Sequence, residues 1–244
     1  MVSESGRSQR RPFRTLLEQI ADDLGASIAL GEIRSGAWLR EQDVAERYEV
    51  SRGPVRKALQ LLSARGLVVL HPRRGAQVVG LTVDAVSDLF NIRAVILGLA
   101  ARYFAVIAGH EAQNRLDAAI GELQRAGQSE SLDAAPFLAA TIKVSEIIAQ
   151  NCGSESLDHL ITDQNDNSPW RALWQSGGLD FLSRDRRLAA TADYVEMNEA
   201  IHRRDGAQAE AIVRRTLMHL RENAVAALAS ARGQSYDERR MLSA

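Results

Sequence analysis

A chain of 244 residues with 45% hydrophobic and 25% charged residues has the make-up of an ordinary globular protein, of one large domain or two smaller ones. Aromatic residues are sparse at 5%, and Ala and Leu recur throughout, which favours helices over sheets. The longest uninterrupted apolar run in the most hydrophobic stretch, Ala94 to Ala101, is closed by Arg93 and Arg102 and falls far short of the ~20 residues of a spanning helix. Glu18, Asp22 and Asp23 interrupt the region behind the basic N-terminus, so neither a signal peptide nor a membrane partner is expected. Cys152 is the only cysteine, which excludes an intrachain disulfide and makes the cytoplasm the expected location.

The overall charge of -1 conceals an asymmetry. Residues 1–80 carry 13 Lys and Arg against 9 Asp and Glu, a net of +4, and the remainder carries 17 against 22, a net of -5. A basic front and an acidic rear suggest that the front alone meets a polyanion.

In chain order, residues 1–12 are polar, basic and without period, and read as a flexible tail. From Phe13 the apolar residues Leu16, Leu17, Ile20, Leu24, Ile28 and Leu30 fall near helical spacing, with Gly31 as a stop. A short helix fits Glu41 to Tyr48 with Val44 and Ala45 inward. A third begins at Ser51, a good N-cap, carries Pro54 in its first turn and buries Val55, Ala58, Leu59 and Leu62 before Gly66. Leu67–Leu70 and Gln77–Val79 are β-type runs separated by His71, Pro72, Arg73, Arg74 and Gly75, a hairpin with a basic tip. Beyond Thr82 the pattern is helical over about 82–109, 112–127, 132–151, 155–165, 180–203 and 205–231, with breaks that include Gly109, Gly127, Gly153-Ser154, Asn167-Ser168-Pro169 and Gly177-Gly178. Asp205 is placed to cap the last helix, and the polar segment 233–244 is expected to fray. The expected fold is therefore mainly α: a winged helix-turn-helix over 13–80 and an all-helical bundle over 81–232.

Three helices followed by a basic hairpin suit DNA reading. A recognition helix must offer its N-terminal turns to base edges while its other face stays packed. Arg52, Arg56 and Lys57 cluster near the start of the third helix, where the helix dipole also favours phosphate, and Arg73 and Arg74 at the hairpin tip can reach an adjacent groove. A solvated basic face on an ordinary three-helix unit is the plainer explanation for any one of these residues; their joint placement on helix and wing favours DNA.

Residues 13–80 resemble the winged helix-turn-helix of the GntR family of bacterial regulators. The resemblance rests on Gly31-Glu32-Ile33 with Gly36 and Leu39, on Val44-Ala45, and on Val50-Ser51-Arg52-Gly53-Pro54-Val55-Arg56-Lys57-Ala58-Leu59. Leu61-Leu62, Gly66-Leu67-Val68 and Arg74-Gly75-Ala76-Gln77-Val78 complete it. It implies that Arg52 and Arg56 touch operator DNA, with Arg40, Gln42, Ser51, Lys57, Arg73, Arg74 and Gly75 as further members of the DNA-binding surface. Some members of the family carry an arginine where this chain has Gln42, so that contact is expected to be weaker.

The helical remainder resembles the FCD-type effector domain of the FadR subfamily, through Arg93, Asn151-Cys152-Gly153 with Leu157, and Ala200-Ile201 with Asp205, Ala209, His219 and Leu220. Its six helices place it nearer the VanR-like group. Many such domains hold a divalent metal through an aspartate and three histidines. Matched by residue, those positions fall on Thr141, Ser145, Tyr194 and His219, and neutral hydroxyls are poor metal ligands. No metal and no other cofactor is therefore expected. The cluster of Thr141, Ser145, Tyr194 and His219, with Asn198 one turn beyond Tyr194 and Arg93 from the first long helix, is expected to face the helical core as an effector pocket. It would suit a small carboxylate or an aromatic metabolite.

The expected function is a ligand-responsive transcriptional regulator, a repressor in the first instance, binding a pseudo-palindromic operator as a homodimer. An enzyme using Ser145 and His219 is disfavoured, since no Gly-x-Ser-x-Gly surrounds Ser145 and no carboxylate is placed to orient the histidine. A helical scaffold protein without operator specificity is the other alternative.

Overall fold

The computed structural model describes residues 15–79, 82–131, 133–167 and 183–241. The tail 1–12, the joint residues Gly80 and Leu81, and the expected breaks at Ser168-Pro169 and Gly177-Gly178 lie outside them.

The N-terminal unit contains α1 (Leu16–Leu30), β1 (Trp38–Leu39), α2 (Glu41–Arg47), α3 (Arg52–Ala64), β2 (Val68–His71) and β3 (Gly75–Val78). Thr15 and Glu18 form a reciprocal capping box at the start of α1, Glu18 Oε2 accepting from Thr15 N at 2.8 Å. Ser51 stands at the N-cap of α3 as expected, but its hydroxyl makes no cap hydrogen bond. Ile20, Leu24 and Ile28 of α1, Val44 of α2, and Val55, Leu59 and Leu62 of α3 close one apolar core with Leu67, Val68, Ala76 and Val78 of the sheet.

The wing differs from the expected hairpin in having a third strand. The sheet order is β1-β3-β2, antiparallel throughout, with Leu39 opposite Ala76 and Leu70 opposite Ala76 on the other side. A two-residue strand is too short to show alternation, which is why periodicity does not reveal it. The strands flanking the tip begin and end one to two residues away from the expected runs, leaving Pro72, Arg73 and Arg74 as the turn. Gly75 is required here for steric reasons: its φ is 96° and a Cβ would lie 2.4 Å from the carbonyl oxygen of Leu39. The expected DNA-binding role of Gly75 is thus a backbone role, seating β3 against β1.

The C-terminal unit contains α4 (Val83–Ile107), α5 (His110–Gln128), α6 (Ala135–Asn151), α7 (Glu155–Asn167), α8 (Arg184–His202), α9 (Gly206–Arg232) and a short 3-10 turn at Glu238–Arg240. Asp205 caps α9 as expected, accepting from Gln208 N at 3.0 Å. α4 and α9 run antiparallel along the centre of the bundle. Two glycines permit their approach: a Cβ on Gly98 would lie 3.1 Å from Arg214 Cγ, and one on Gly206 would lie 2.7 Å from the carbonyl oxygen of Arg102. Phe90, Leu97 and Phe104 of α4 pack with Ile212, Leu217 and Leu228 of α9, and Leu116, Phe137 and Ile148 extend this core into α5 and α6. Arg204 donates to the carbonyls of Ala105 and Ala108 at 3.1 and 2.9 Å, closing the end of α4.

Two features correct the sequence expectations. By length and composition α4 is apolar enough to cross a membrane, which a count of uninterrupted apolar residues does not show; half of its most apolar stretch is buried within the bundle, as in a core helix. The segment after α9, expected to fray, folds back on the first turns of α4. There Ser87 Oγ and Asn91 Nδ2 donate to the carbonyl of Arg240 at 3.2 and 3.0 Å, Asp237 N donates to Asp84 Oδ1 at 2.9 Å, and Arg240 pairs with Asp88.

Within the N-terminal unit a buried ion pair joins α1 to the end of α3, Asp22 Oδ1 lying 2.9 Å from Arg65 Nη2 with both side chains under a tenth exposed. Removing the carboxylate takes the counter-charge from a buried cation. Asp22→Ala is expected to lower unfolding stability by ~3 kcal/mol, read as a lower urea midpoint at unchanged m-value.

Candidate functional site

Arg40, Gln42, Ser51, Arg52, Arg56, Lys57, Arg73 and Arg74 are all exposed. Most of them border one groove of about 930 Å³ between α3 and the wing, lined by Arg40, Gln42, Arg52 and Arg56 on one side and by Trp38, Arg73, Arg74 and Gly75 on the other. Ser51 and Lys57 sit beside this groove rather than in its lining.

The basic side chains are held by partners of their own. Arg56 makes a two-point contact with Glu41, Nε to Oε1 and Nη2 to Oε2, both at 2.8 Å. Arg52 Nη2 donates to Gln42 Oε1 at 3.0 Å, and Gln42 Nε2 in turn donates to Glu46 at 3.1 Å. The hydrogen bonds from Arg56 hold the Glu41 carboxyl below its ordinary range. On the wing, the Arg74 guanidinium lies 5.6 Å from the centre of the Trp38 ring, and His71 meets the same ring at 4.9 Å. Glu41 and Trp38 were not foreseen from the sequence. An acidic residue beside a polyanion site and an aromatic residue on a two-residue strand carry no signal until α2, α3 and the wing are folded together.

In the helical unit the structure brings together Arg93, Ser145 and Tyr194. Arg93 is 3% exposed and donates to Ser145 Oγ at 3.0 Å and to Gln164 Oε1 at 3.3 Å. Burial pulls the Arg93 guanidinium down to about 10, with Tyr194 and Glu146 opposing the shift, so it stays charged at neutral pH. Burial pushes the Tyr194 phenol up to about 12, against the pull of Arg93. Gln164, on α7, is a member that sequence reasoning missed.

Three other expected members are placed differently. Thr141 is half-buried and donates to the carbonyl of Leu138 in its own helix at 2.8 Å. Asn198 turns to α5, where it donates to Asp117 Oδ1 at 2.7 Å beside His202. His219 is exposed, not directed into the core. One turn earlier, Thr216 occupies the inner face of α9, 4% exposed, with its hydroxyl within hydrogen-bonding distance of Asp193 Oδ2 at 3.0 Å and of the carbonyl of Ile212 at 2.9 Å. Thr216 and Tyr194 line one narrow cavity with Asp193, Met197, Ile212, Val213 and Leu217, with about 10 Å³ of free space. Thr216 and His219 lie one turn apart on α9, and the buried face ends between them, leaving His219 at its solvent edge.

The residues at this position do not fit a divalent metal. Thr141, Ser145, Tyr194 and Thr216 offer neutral hydroxyls, three of which are donated to carbonyls of their own helices. Among the described residues no three His, Cys, Asp or Glu side chains converge to hold an ion.

The chain matches the family described as "Bacterial regulatory proteins, gntR family" over residues 16–78 and the "FCD domain" over residues 88–219. It is 36% identical over 78 residues to the gluconate operon transcriptional repressor of Bacillus subtilis, covering 32% of each chain. It is 40% identical over 80 residues to the HTH-type transcriptional regulator BphR of Paraburkholderia xenovorans, covering 33% of each. The match thus spans about a third of the length of these relatives. Among solved structures, E. coli McbR/YncC shares the fold with a TM-score of 0.61 at 18% identity, over 89% of this chain and 99% of that one. A putative GntR regulator from Rhodococcus sp. RHA1 gives 0.57 at 22% identity, over 91% and 99%. With one domain matched at each end, the chain belongs to the GntR family of bacterial regulatory proteins, in the group whose C-terminal domain is of the FCD type.

Proposed function

We propose that this protein is a DNA-binding transcriptional repressor that binds a pseudo-palindromic operator as a homodimer and responds to a small anionic effector. The observation that carries the DNA reading is the groove between α3 and the wing, bordered by Arg40, Arg52, Arg56, Arg73 and Arg74. Its predominantly cationic lining suits a duplex edge, with α3 toward the major groove and the wing tip on the flanking backbone. The names of the relatives, repressors among them, support the same reading. The Arg52→Ala/Arg56→Ala double variant should retain its fold and lose operator affinity by ~2–5 kcal/mol, measured by mobility shift at fixed salt. Parent-like affinity in the folded double variant would exclude this surface.

A second copy is proposed to cover the outer side of α4. Ile92, Val95, Tyr103 and Val106 are 53%, 50%, 43% and 61% exposed, and with Leu99 they recur at steps of three or four residues along one stripe. These side chains leave on the order of 400 Å² of apolar surface in water, comparable to the largest patch of a typical monomer. Paired across a two-fold axis with their flanks, they supply the core of an interface of about 1,600 Å². Two reading heads then match two half-sites, which a single head of this size reads too weakly for a unique genomic address. Val95→Glu/Val106→Glu should sediment as a folded monomer at micromolar concentration; a dimer of that variant would place the interface elsewhere.

The effector is proposed to be a small carboxylate received by Arg93, a buried cation of the helical unit, with Ser145 and Tyr194 as neighbouring hydroxyls. The narrow cavity beside Tyr194 implies that binding shifts α8 and α9, and through α4 the spacing of the heads. Arg93→Met should abolish the thermal shift produced by a panel of small carboxylates, while His219→Ala, on the solvent side, should keep it. Loss of the shift in His219→Ala alone would reverse the assignment.

A further inference from the structure

The two-point contact between Glu41 and Arg56 puts a carboxylate in a groove otherwise lined with cations. That placement opposes DNA: an acidic group beside phosphates repels them, and its removal alone strengthens binding to any duplex. Its geometry serves another purpose. Glu41 takes Nε–H and one N–H of Nη2, the side edge of the guanidinium. A guanidinium has five N–H groups, so both N–H of Nη1 and the second of Nη2 remain, and these form the outer fork. Two parallel donors at that spacing match O6 and N7 of guanine in the major groove. Held side-on, the fork is aimed; released, a 65% exposed arginine can swing to the nearest phosphate. Glu41 is well placed to hold it, being the first residue of α2 and only 27% exposed itself. Arg52 has a neutral counterpart of the same arrangement in Gln42, by a single hydrogen bond of 3.0 Å.

We propose that Glu41 is a specificity-determining positioning residue, which orients the outer edge of Arg56 toward a guanine in each half-site. This inference rests on the DNA-reading function proposed above. It makes two arginines of one helix unlike in role: Arg56 reads a defined base, and Arg52, on its single neutral tether, adapts to base or backbone.

The test uses the full-length protein, a duplex selected by the parent from a randomised library, a single-site variant of that duplex with guanine replaced by adenine, and a random-sequence duplex. Glu41→Ala should bind the random duplex as tightly as the parent or more tightly, because a negative charge is gone. It should bind the selected duplex about tenfold or more weakly relative to the random one. Repeating the selection with Glu41→Ala should give a motif that has lost its preference at one guanine per half-site. Glu41→Gln, which keeps the shape and one acceptor, should retain part of that preference. In the Arg56→Ala background Glu41→Ala should cause no further loss of preference for the selected over the random duplex, since its effect on preference acts through Arg56. Far-UV circular dichroism establishes that each variant is folded.

If Glu41→Ala raises affinity for both duplexes in the same proportion and selects the parental motif, Glu41 merely competes with DNA and the proposal is overturned. An additive effect of the two substitutions on the selected-to-random preference overturns it as well. Failure of the parent to select any motif would instead count against the DNA-reading function itself, which keeps the two failures distinct.

Discussion

Helix α4 is apolar on nearly every side, and much of the architecture follows from the need to cover it. A helix of that kind is stable in water only when enclosed. One side meets α9 over most of its length, closely enough that a Cβ on Gly206 would strike the carbonyl of Arg102 and one on Gly98 would press against Arg214. Arg204 then seals the carbonyl end, and the returning C-terminal segment covers the amino end. The outer stripe from Ile92 to Val106 is left, and it is this residual exposure that the proposed second copy would cover. The same helix carries Arg93 inward, so the one buried cation of the polar cluster is fixed to the element that leads toward the reading head.

On the DNA-facing side the arrangement is one of restraint. Arg52, Arg56 and Arg74 each rest against a defined neighbour, an amide, a carboxylate and an indole ring. A free arginine on a surface explores many rotamers and loses that freedom on binding. Side chains already held near one orientation lose less, and a surface of this kind favours geometric fit over charge alone.

Much of this was legible before folding, and what was not has physical causes. The apolar spacing of Val55, Ala58, Leu59 and Leu62 defines α3, and the Arg73-Arg74-Gly75 tip defines the wing turn, because both signals are local. β1 is two residues long and owes its existence to Gly36, Ala37 and Val78 pairing across the sheet, so nothing in its own sequence announces it. The misplacement of His219 has a different origin: it stands at the edge of the buried face of α9, where residue type does not tell which side of the boundary a side chain takes. Thr216, with no distinctive chemistry, is what the inner face carries. Glu41 was overlooked because charge counting treats an acidic residue among basic ones as a subtraction, whereas its effect lies in the direction of two hydrogen bonds. The return of the C-terminal segment depends on Asp84, Asp88 and Asn91 presenting partners far away in sequence.

That return has a consequence for the order in which the molecule is made. Asp84 and Asp237, joined by a hydrogen bond in the folded chain, are separated by 153 positions. At a synthesis rate of ~5–20 residues per second, α4 leaves the ribosome roughly 8 to 30 s before the last of its covering residues. The winged unit has no such delay, since its core is complete once Val78 has emerged. During every round of translation a finished reading head is therefore tethered to a bare apolar rod, a nascent species with the surface that general chaperones hold. Premature termination anywhere between α5 and α9 leaves that species permanent, competent in its head and adhesive in its body.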